Sequence, residues 1–373
     1  MKKLLLVANV SKEHIRKFYI PFIDLMKETG WSVDVACRMD VPVPECDHAF
    51  DLPCDRNPFR GGIRKSVTIL KEILRNNSYD LLVCSTVVGS IVARLAANSF
   101  RKTGLKVIYM CHGLHFFPGA SALRWAMGYP VEKLLAPKTD VIIITNDTDL
   151  NTAKQHLSIP IIEKSHSMGV NLNRFRDAAL SENDRADQRK ALGLGPNDYV
   201  LTYVAEIIAN KNQSMLLEVF TQIRKRIPSA KLMLVGPEHD DGALRKAIES
   251  KGLQNEVLLL GWRSDVPTLL HLADIYVASS KSEGLGLNLI EAMACNLPVV
   301  ATNNRGHTES VIHGQTGFLV NVNDSEAMAA YVLQLHDDAE LTKTITTQAQ
   351  QDIQKFGTEA AIKELVEMVA RHA

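Results

Sequence analysis

Apolar, partly β-branched runs recur along the chain at 4–10, 32–37, 81–84, 106–111 and 141–145, separated by stretches of helical composition. Runs this short and this apolar are strands buried on both faces, and their alternation with helices predicts a parallel sheet wound with helices. A second series occupies 200–204, 231–235, 257–260, 275–278, 298–301 and 318–320. It predicts a second sheet of the same kind. Between the series, the polar stretch 176–198 with Gly193, Gly195 and Pro196 reads as a connection and hinge. The expected division is 1–175, a connection at 176–198, 199–350, and a last segment, 351–373. In that last segment the helical periodicity of 359–373 predicts a final helix returning to the first domain. Sheets of this type bind ligands at the carboxyl ends of strands, where the strand order reverses, so His112-Gly113 is expected in a crevice.

Composition narrows the class. With 373 residues, 46% hydrophobic and 23% charged, the chain suits two soluble domains, each with its own core. No run is long enough to predict a membrane span. Met1-Lys2-Lys3 before an apolar run imitates a signal peptide, but the run is short and Ser11-Lys12-Glu13-His14 is no cleavage site, so it reads as the first strand. Six cysteines without a Cys-x-x-Cys pair indicate neither a zinc site nor a disulfide framework, and the expected location is the cytoplasm. Cys111 reads as a buried thiol beside His112. Asp147 and Asp149 form an Asp-x-Asp that could hold a metal, yet capping of the next helix accounts for them better, and no metal is expected.

The net charge is zero but unevenly spread. Residues 1–180 hold 24 Lys and Arg against 17 Asp and Glu, an excess that suggests an anionic partner for the first half. Within it, Arg60, Arg64, Lys71 and Arg75 interleave with Phe59, Ile63 and Val67 on a predicted helix. Such a helix could lie on an anionic membrane surface, and an ordinary core helix with a basic outer face has the same pattern.

The most informative stretch runs from Ser282-Glu283-Gly284-Leu285-Gly286-Leu287 through Glu291 to Ala294, then Leu297-Pro298-Val299-Val300-Ala301. It reads as loop, helix, turn and strand. Helix amides at the end of a glycine-rich loop make an anion site, while Glu283 and Glu291 suit hydroxyl donors. Diphosphate and hydroxyls together describe a nucleotide-sugar.

This segment, with its two glutamates eight positions apart, resembles the signature of the retaining glycosyltransferases of family 4. The run Cys111-His112-Gly113-Leu114-His115-Phe116-Phe117, succeeded by Tyr129-Pro130 and Glu132-Lys133, is similar to the capsule and exopolysaccharide subgroup of that family. The resemblance covers nearly the whole chain and implies the GT-B fold, two doubly wound parallel-sheet α/β domains facing a central cleft. It also implies that Glu283 and His112 lie by the donor sugar and that Glu291 binds ribose. Gly284, Leu285, Gly286 and Leu287 supply amides to the diphosphate, and Val266, in Gly261-Trp262-Arg263-Ser264-Asp265-Val266, meets the nucleobase. Lys211 keeps the place of a diphosphate-gripping lysine.

Two positions depart from the pattern. Glu206 stands where the family has an arginine, as in some subgroup members, and is expected to orient Lys211. Ser85-Thr86-Val87 stands where the subgroup often has His-Thr-Pro. The segment Arg305-Gly306-His307-Thr308-Glu309 resembles the subgroup without an assigned role.

The implied reaction moves a sugar from a nucleotide-diphosphate sugar, UDP-linked, to a polyprenyl-diphosphate-linked sugar acceptor with retention, at the inner face of the membrane. No cofactor and no nucleic-acid partner are implied. A metal-dependent GT-A enzyme, a two-domain nucleotide-sugar epimerase and a non-catalytic nucleotide-sugar-binding subunit are the alternatives.

Overall fold

The structure, a computed structural model, describes residues 1–54 and 62–373. Phe59 and Arg60 of the basic helix lie outside the described residues.

The first sheet holds β1 (Lys3–Val10), β2 (Ser32–Arg38), β3 (Ala49–Asp51), β4 (Leu81–Ser85), β5 (Lys106–Cys111), β6 (Val141–Ile144) and β7 (Ile161–Lys164). Its strands are parallel and ordered 3-2-1-4-5-6-7. Leu4 pairs with Val33 on one side and Leu81 on the other. Side chains alternate as a strand requires: Leu4, Leu6 and Ala8 enter one apolar cluster, Leu5 and Val7 the other. β3 and β7 are absent from the apolar pattern. Both are edge strands whose residues are only partly covered, so they lack the continuous apolar run of a buried strand.

The second sheet holds β8 (Tyr199–Val204), β9 (Ala230–Val235), β10 (Val257–Leu259), β11 (Ile275–Ala278), β12 (Val299–Thr302) and β13 (Phe318–Val320), parallel and ordered 10-9-8-11-12-13.

The chain divides into Met1–Gly169 with Thr358–Ala373, and Val170–Gly357. The helix Thr358–Arg371 belongs to the first unit because Ile362, Leu365, Val366 and Val369 enter the cluster of Leu4 and Leu6. The stretch read as a connection, 176–198, lies in the second unit and contains the helix Glu182–Ala191. Its polarity is used internally. Arg185 pairs with Asp274 at 2.8 Å, and buried Arg189 donates to the Leu272 carbonyl at 3.2 Å.

The basic helix Ile63–Asn76 uses its apolar residues for packing. Leu70, Ile73 and Leu74 are buried, and Ile63 and Val67 lie against the same core. Its exposed residues are Arg64, Lys65, Thr68, Glu72, Arg75 and Asn76. Of the side chains expected to dip into lipid, Ile63 and Val67 are therefore occupied within the protein.

Candidate active site

In the first sheet β1 pairs with β2 on one side and β4 on the other, so the strand order reverses at β1. Directly after β1 the chain enters a π-helix, Ser11–Tyr19, a rare geometry that sets residues five apart on one face. His14 and Tyr19 are five apart, and their ring centroids lie 5.1 Å from each other. Ser85 ends β4, and His112 comes directly after β5. The Ser85 hydroxyl lies 2.9 Å from His14 Nε2 and 3.1 Å from His112 Nε2, and the Tyr19 hydroxyl lies 3.0 Å from His112 Nε2. Burial lowers the His112 pKa to about 4, so the imidazole is neutral near pH 7, and an Nε2 lone pair can accept from one of the two hydroxyls at a time. Burial also pushes the Tyr19 phenol up and the Cys111 thiol up to about 12, which fits the reading of Cys111 as an inert buried thiol.

The loop after His112 is fixed from β6. Asp149 is buried and accepts from the Leu114 amide at 3.0 Å and from the Asn146 side chain at 2.9 Å. Asn146, rather than either aspartate, caps the helix Asp147–His156, with Oδ1 accepting from the Asp149 amide at 2.8 Å. Asp147 instead pairs with Lys164 at 2.6 Å. The two carboxylates thus serve different partners.

In the second sheet the order reverses at β8, which lies between β9 and β11. The loops after β8 and β11 carry Lys211 and Glu283, and the reversal brings them together with Nζ 2.5 Å from Oε1. Further bonds join the loops: the Lys281 amide donates to the Asn210 carbonyl at 2.8 Å, and Asn210 Nδ2 donates to the Ser282 carbonyl at 2.9 Å. Glu206 is exposed at the head of the first loop, where its carbonyl accepts from Gln213. The expectation that Glu206 orients Lys211 is therefore corrected. Glu283, whose carboxylate the chain reversal delivers, is the acid that holds it.

Gly286 precedes the helix Leu287–Ala294 with φ of 72°, whereas Gly284 needs no left-handed conformation. Glu291 sits half-buried on this helix. Behind the loop stands the segment after β12. A Cβ on Gly286 would come 2.9 Å from His307 Cδ2, and one on Gly306 would come 2.7 Å from Glu283 Cβ. Asn304 ties the parts together, donating to the Ser280 carbonyl at 3.0 Å and accepting from the Gly306 and His307 amides.

His307 is fully buried. Its Nδ1 lies 2.8 Å from the Thr302 carbonyl and 3.0 Å from the Asn304 side-chain nitrogen. Nε2 is buried without a hydrogen-bond partner among the described residues. Burial lowers the His307 pKa to about 4, against the raising influence of Glu283. The sequence displayed this residue only as part of a run with no assigned role. Its signal, a histidine beside a glycine in a turn-rich segment, resembles that of His112.

Val266 begins the helix Val266–Leu272, after β10 and a loop held by the Arg263–Asp265 pair at 2.6 Å. The second unit thus brings Lys211, Glu283 and Gly284–Leu287 together, and Glu206 is exposed on the loop that carries Lys211. Val266 stands on a separate loop of the same unit, and His112 stands in the first unit.

Two parallel sheets, each with polar side chains gathered where its strand order reverses, match the GT-B glycosyltransferases. HepE of Anabaena, solved with UDP, superimposes with a TM-score of 0.79 at 22% identity over all of both chains. WaaG, a glycosyltransferase involved in lipopolysaccharide biosynthesis, gives 0.75 at 13% identity over 99% of each. Residues 184–352 match the family model "Glycosyl transferases group 1", and residues 3–146 match "Glycosyl transferase 4-like". EpsD of Bacillus subtilis (strain 168), to which a glycosyltransferase activity is ascribed, is 36% identical over 373 residues, covering 100% of this chain and 97% of EpsD. An Escherichia coli UDP-Gal:alpha-D-GlcNAc-diphosphoundecaprenol alpha-1,3-galactosyltransferase is 26% identical over 350 residues, covering 89% of this chain and 86% of the relative. The chain belongs to the group 1, or family 4, glycosyltransferases, a retaining family, and is a nucleotide-sugar-dependent enzyme.

Proposed function

We propose that the enzyme transfers a hexosyl or N-acetylhexosaminyl unit from a UDP-sugar to a polyprenyl-diphosphate-linked sugar, with retention, in assembly of a bacterial capsule or exopolysaccharide. The observation that carries the reading is the Lys211–Glu283 contact beside the Gly286–Leu287 turn, at the strand reversal of the second sheet. Helix amides and a lysine there suit a diphosphate without a metal. Relatives support the substrates: the Escherichia coli enzyme takes UDP-Gal and a diphosphoundecaprenol-linked sugar, and a Staphylococcus aureus relative, CapM, belongs to capsular polysaccharide biosynthesis.

In this mechanism the bond from the anomeric carbon to the diphosphate oxygen breaks with its electron pair leaving on UDP. Lys211 and the Gly284–Leu287 amides stabilise the growing charge. The acceptor hydroxyl bonds to the same face of that carbon, and its proton passes to the leaving phosphate oxygen. Glu283 and neutral His112 position the sugar, Glu291 accepts from ribose hydroxyls, and the backbone at Val266 meets the base. Glu206 lies beside the diphosphate, where its charge weakens the positive field.

The test is turnover of UDP-glucose, UDP-galactose and their N-acetylamino forms with a polyprenyl-diphosphate-linked sugar, with the product anomer read by NMR. A product of retained configuration is expected. Donor consumption independent of acceptor would indicate an epimerase, and binding without turnover a non-catalytic subunit. A strict preference for GDP-sugars would overturn the UDP assignment.

A further inference from the structure

The proposed reaction uses His112 and leaves three side chains around it without a role. His14 and Tyr19 come from the π-helix Ser11–Tyr19, and Ser85 ends β4. Tyr19 and Ser85 are fully buried, whereas His14 and His112 are half-buried. An α-helix, at about 100° per residue, would turn residues five apart about 140° from each other, and the wider π geometry is what aims His14 and Tyr19 together at Ser85 and His112. Ser85 is held as firmly. The next residue, Thr86, has φ of 67° and ψ of 156°, a conformation that is costly for a β-branched residue and persists only where the surroundings fix it. Asn9 does so: its Oδ1 accepts from the Gly89 amide at 2.6 Å and lies 2.7 Å from the Thr86 hydroxyl.

The hydrogen bonds of this cluster are limited by its protons. The Ser85 hydroxyl lies 2.9 Å from His14 Nε2 and 3.1 Å from His112 Nε2, and it has one proton to give. Neutral His112 also has one, on Nδ1 or on Nε2. Where His14 Nε2 donates to Ser85, the serine proton turns away toward His112, whose Nε2 then accepts and whose Nδ1 holds the ring proton. Where His14 Nε2 accepts from Ser85, the serine oxygen is left to accept in turn, and a proton on His112 Nε2 can donate to it. The Tyr19 hydroxyl, 3.0 Å from His112 Nε2, can donate or accept and so fits both arrangements.

We propose that His14 is a positioning residue for sugar transfer: through Ser85 it sets which ring nitrogen of His112 bears the proton, and so whether His112 meets the donor sugar with an N–H or with a lone pair. A sugar hydroxyl pairs with either form, but a site that presents a single form holds the sugar in a single orientation. The inference deepens the proposed reaction and rests on the reading that His112 lies by the donor sugar.

The test combines nitrogen-15 spectra of the histidine rings with steady-state rates on the best donor among UDP-glucose, UDP-galactose and their N-acetylamino forms. His14→Phe keeps a ring beside Phe18 and Tyr19 but removes the nitrogen. It should change the His112 nitrogen shifts, lower kcat about tenfold and leave the donor KM within about threefold, with melting and UDP affinity unchanged. His14→Gln, whose amide can still donate to Ser85, should restore most of the shift and of kcat. Ser85→Ala should match His14→Phe in kcat, and the double variant should be no slower than either, since both changes act through one bridge. Unchanged His112 shifts in His14→Phe overturn the proposal, as do fully additive losses in the double variant. Changed shifts with unchanged kcat would uphold the coupling to His14 and refute the reading that places His112 at the sugar.

Discussion

The Lys211 ammonium lies 2.5 Å from the Glu283 carboxylate, so the cation that the family pattern retains is already paired. With Glu206 in place of the family arginine, the positive field on a diphosphate is weaker than the pattern implies, and Glu283 sets how much of Lys211 remains for phosphate. Glu283→Gln should therefore tighten UDP binding several-fold, on the order of 1 kcal/mol, while lowering turnover at least tenfold because the donor sugar loses an acceptor of its hydrogen bonds. Calorimetry with UDP and initial rates would read the two effects separately. Weaker UDP binding in a folded variant would mean that the pair works as a unit on the phosphate.

Lys211→Ala should lower turnover more than donor affinity, since negative charge on the leaving diphosphate grows as the bond breaks. Glu291→Ala should cost about 1.5–3 kcal/mol of donor affinity and leave the Lys211–Glu283 contact in place. Titration with UDP and with uridine-free diphosphate separates them: Glu291→Ala should weaken only the former.

His307 makes stability depend on pH in a definite direction. Its pKa falls from the ordinary 6.5 to about 4 on folding because the ring is buried. Between these values the unfolded chain binds a proton that the folded chain excludes. The stabilisation is therefore full above about 6.5 and is lost as pH drops toward 4, by up to roughly 3 kcal/mol. His112 contributes in the same sense. In His307→Gln the melting temperature should decline less steeply between pH 6.5 and pH 4 than in wild type, whatever its value at pH 7. An identical slope would show that this imidazole is solvated in the folded protein.

Both sheets are legible in the sequence because their central strands are apolar on both faces, and that pattern is local. β3 and β7 escape because edge strands are half covered and read as loops. The stretch 176–198 misleads for the opposite reason: Arg185 and Arg189 look solvated in sequence, but fold onto Asp274 and the Leu272 carbonyl. Motifs name the members of the sites, whereas their pairings depend on strand order. Lys211 and Glu283 are 72 positions apart, and only the reversal at β8 makes Glu283 rather than nearby Glu206 the partner. Likewise, a π-helix sets His14 and Tyr19 beside Ser85 and His112, and no periodicity announces it. The outward face of the helix Ala122–Leu135, with exposed Leu123 and Met127, is hidden too. Trp125 and Tyr129 are as apolar as Leu123 and Met127, and the buried Arg94–Glu132 pair shows which face turns inward.

That pair supports the last prediction. Arg94 is fully buried, donates from both Nη atoms to Glu132 at 2.6 and 3.0 Å, and places its guanidinium 4.2 Å from the Tyr109 ring centroid. It joins the helix Val87–Ala97 to the helix Ala122–Leu135, so it also fixes which face the latter presents. Removing one partner strands a buried charge, and Glu132→Ala should cost about 3–5 kcal/mol. Replacing both, as in Arg94→Met/Glu132→Leu, removes that penalty and should cost less than the single change. Urea unfolding measures both costs, and hydrogen exchange across Ala122–Leu135 should rise in the single variant and return toward wild type in the double. If the double variant is as unstable as the single one, the cost lies in lost volume rather than in an unpaired charge.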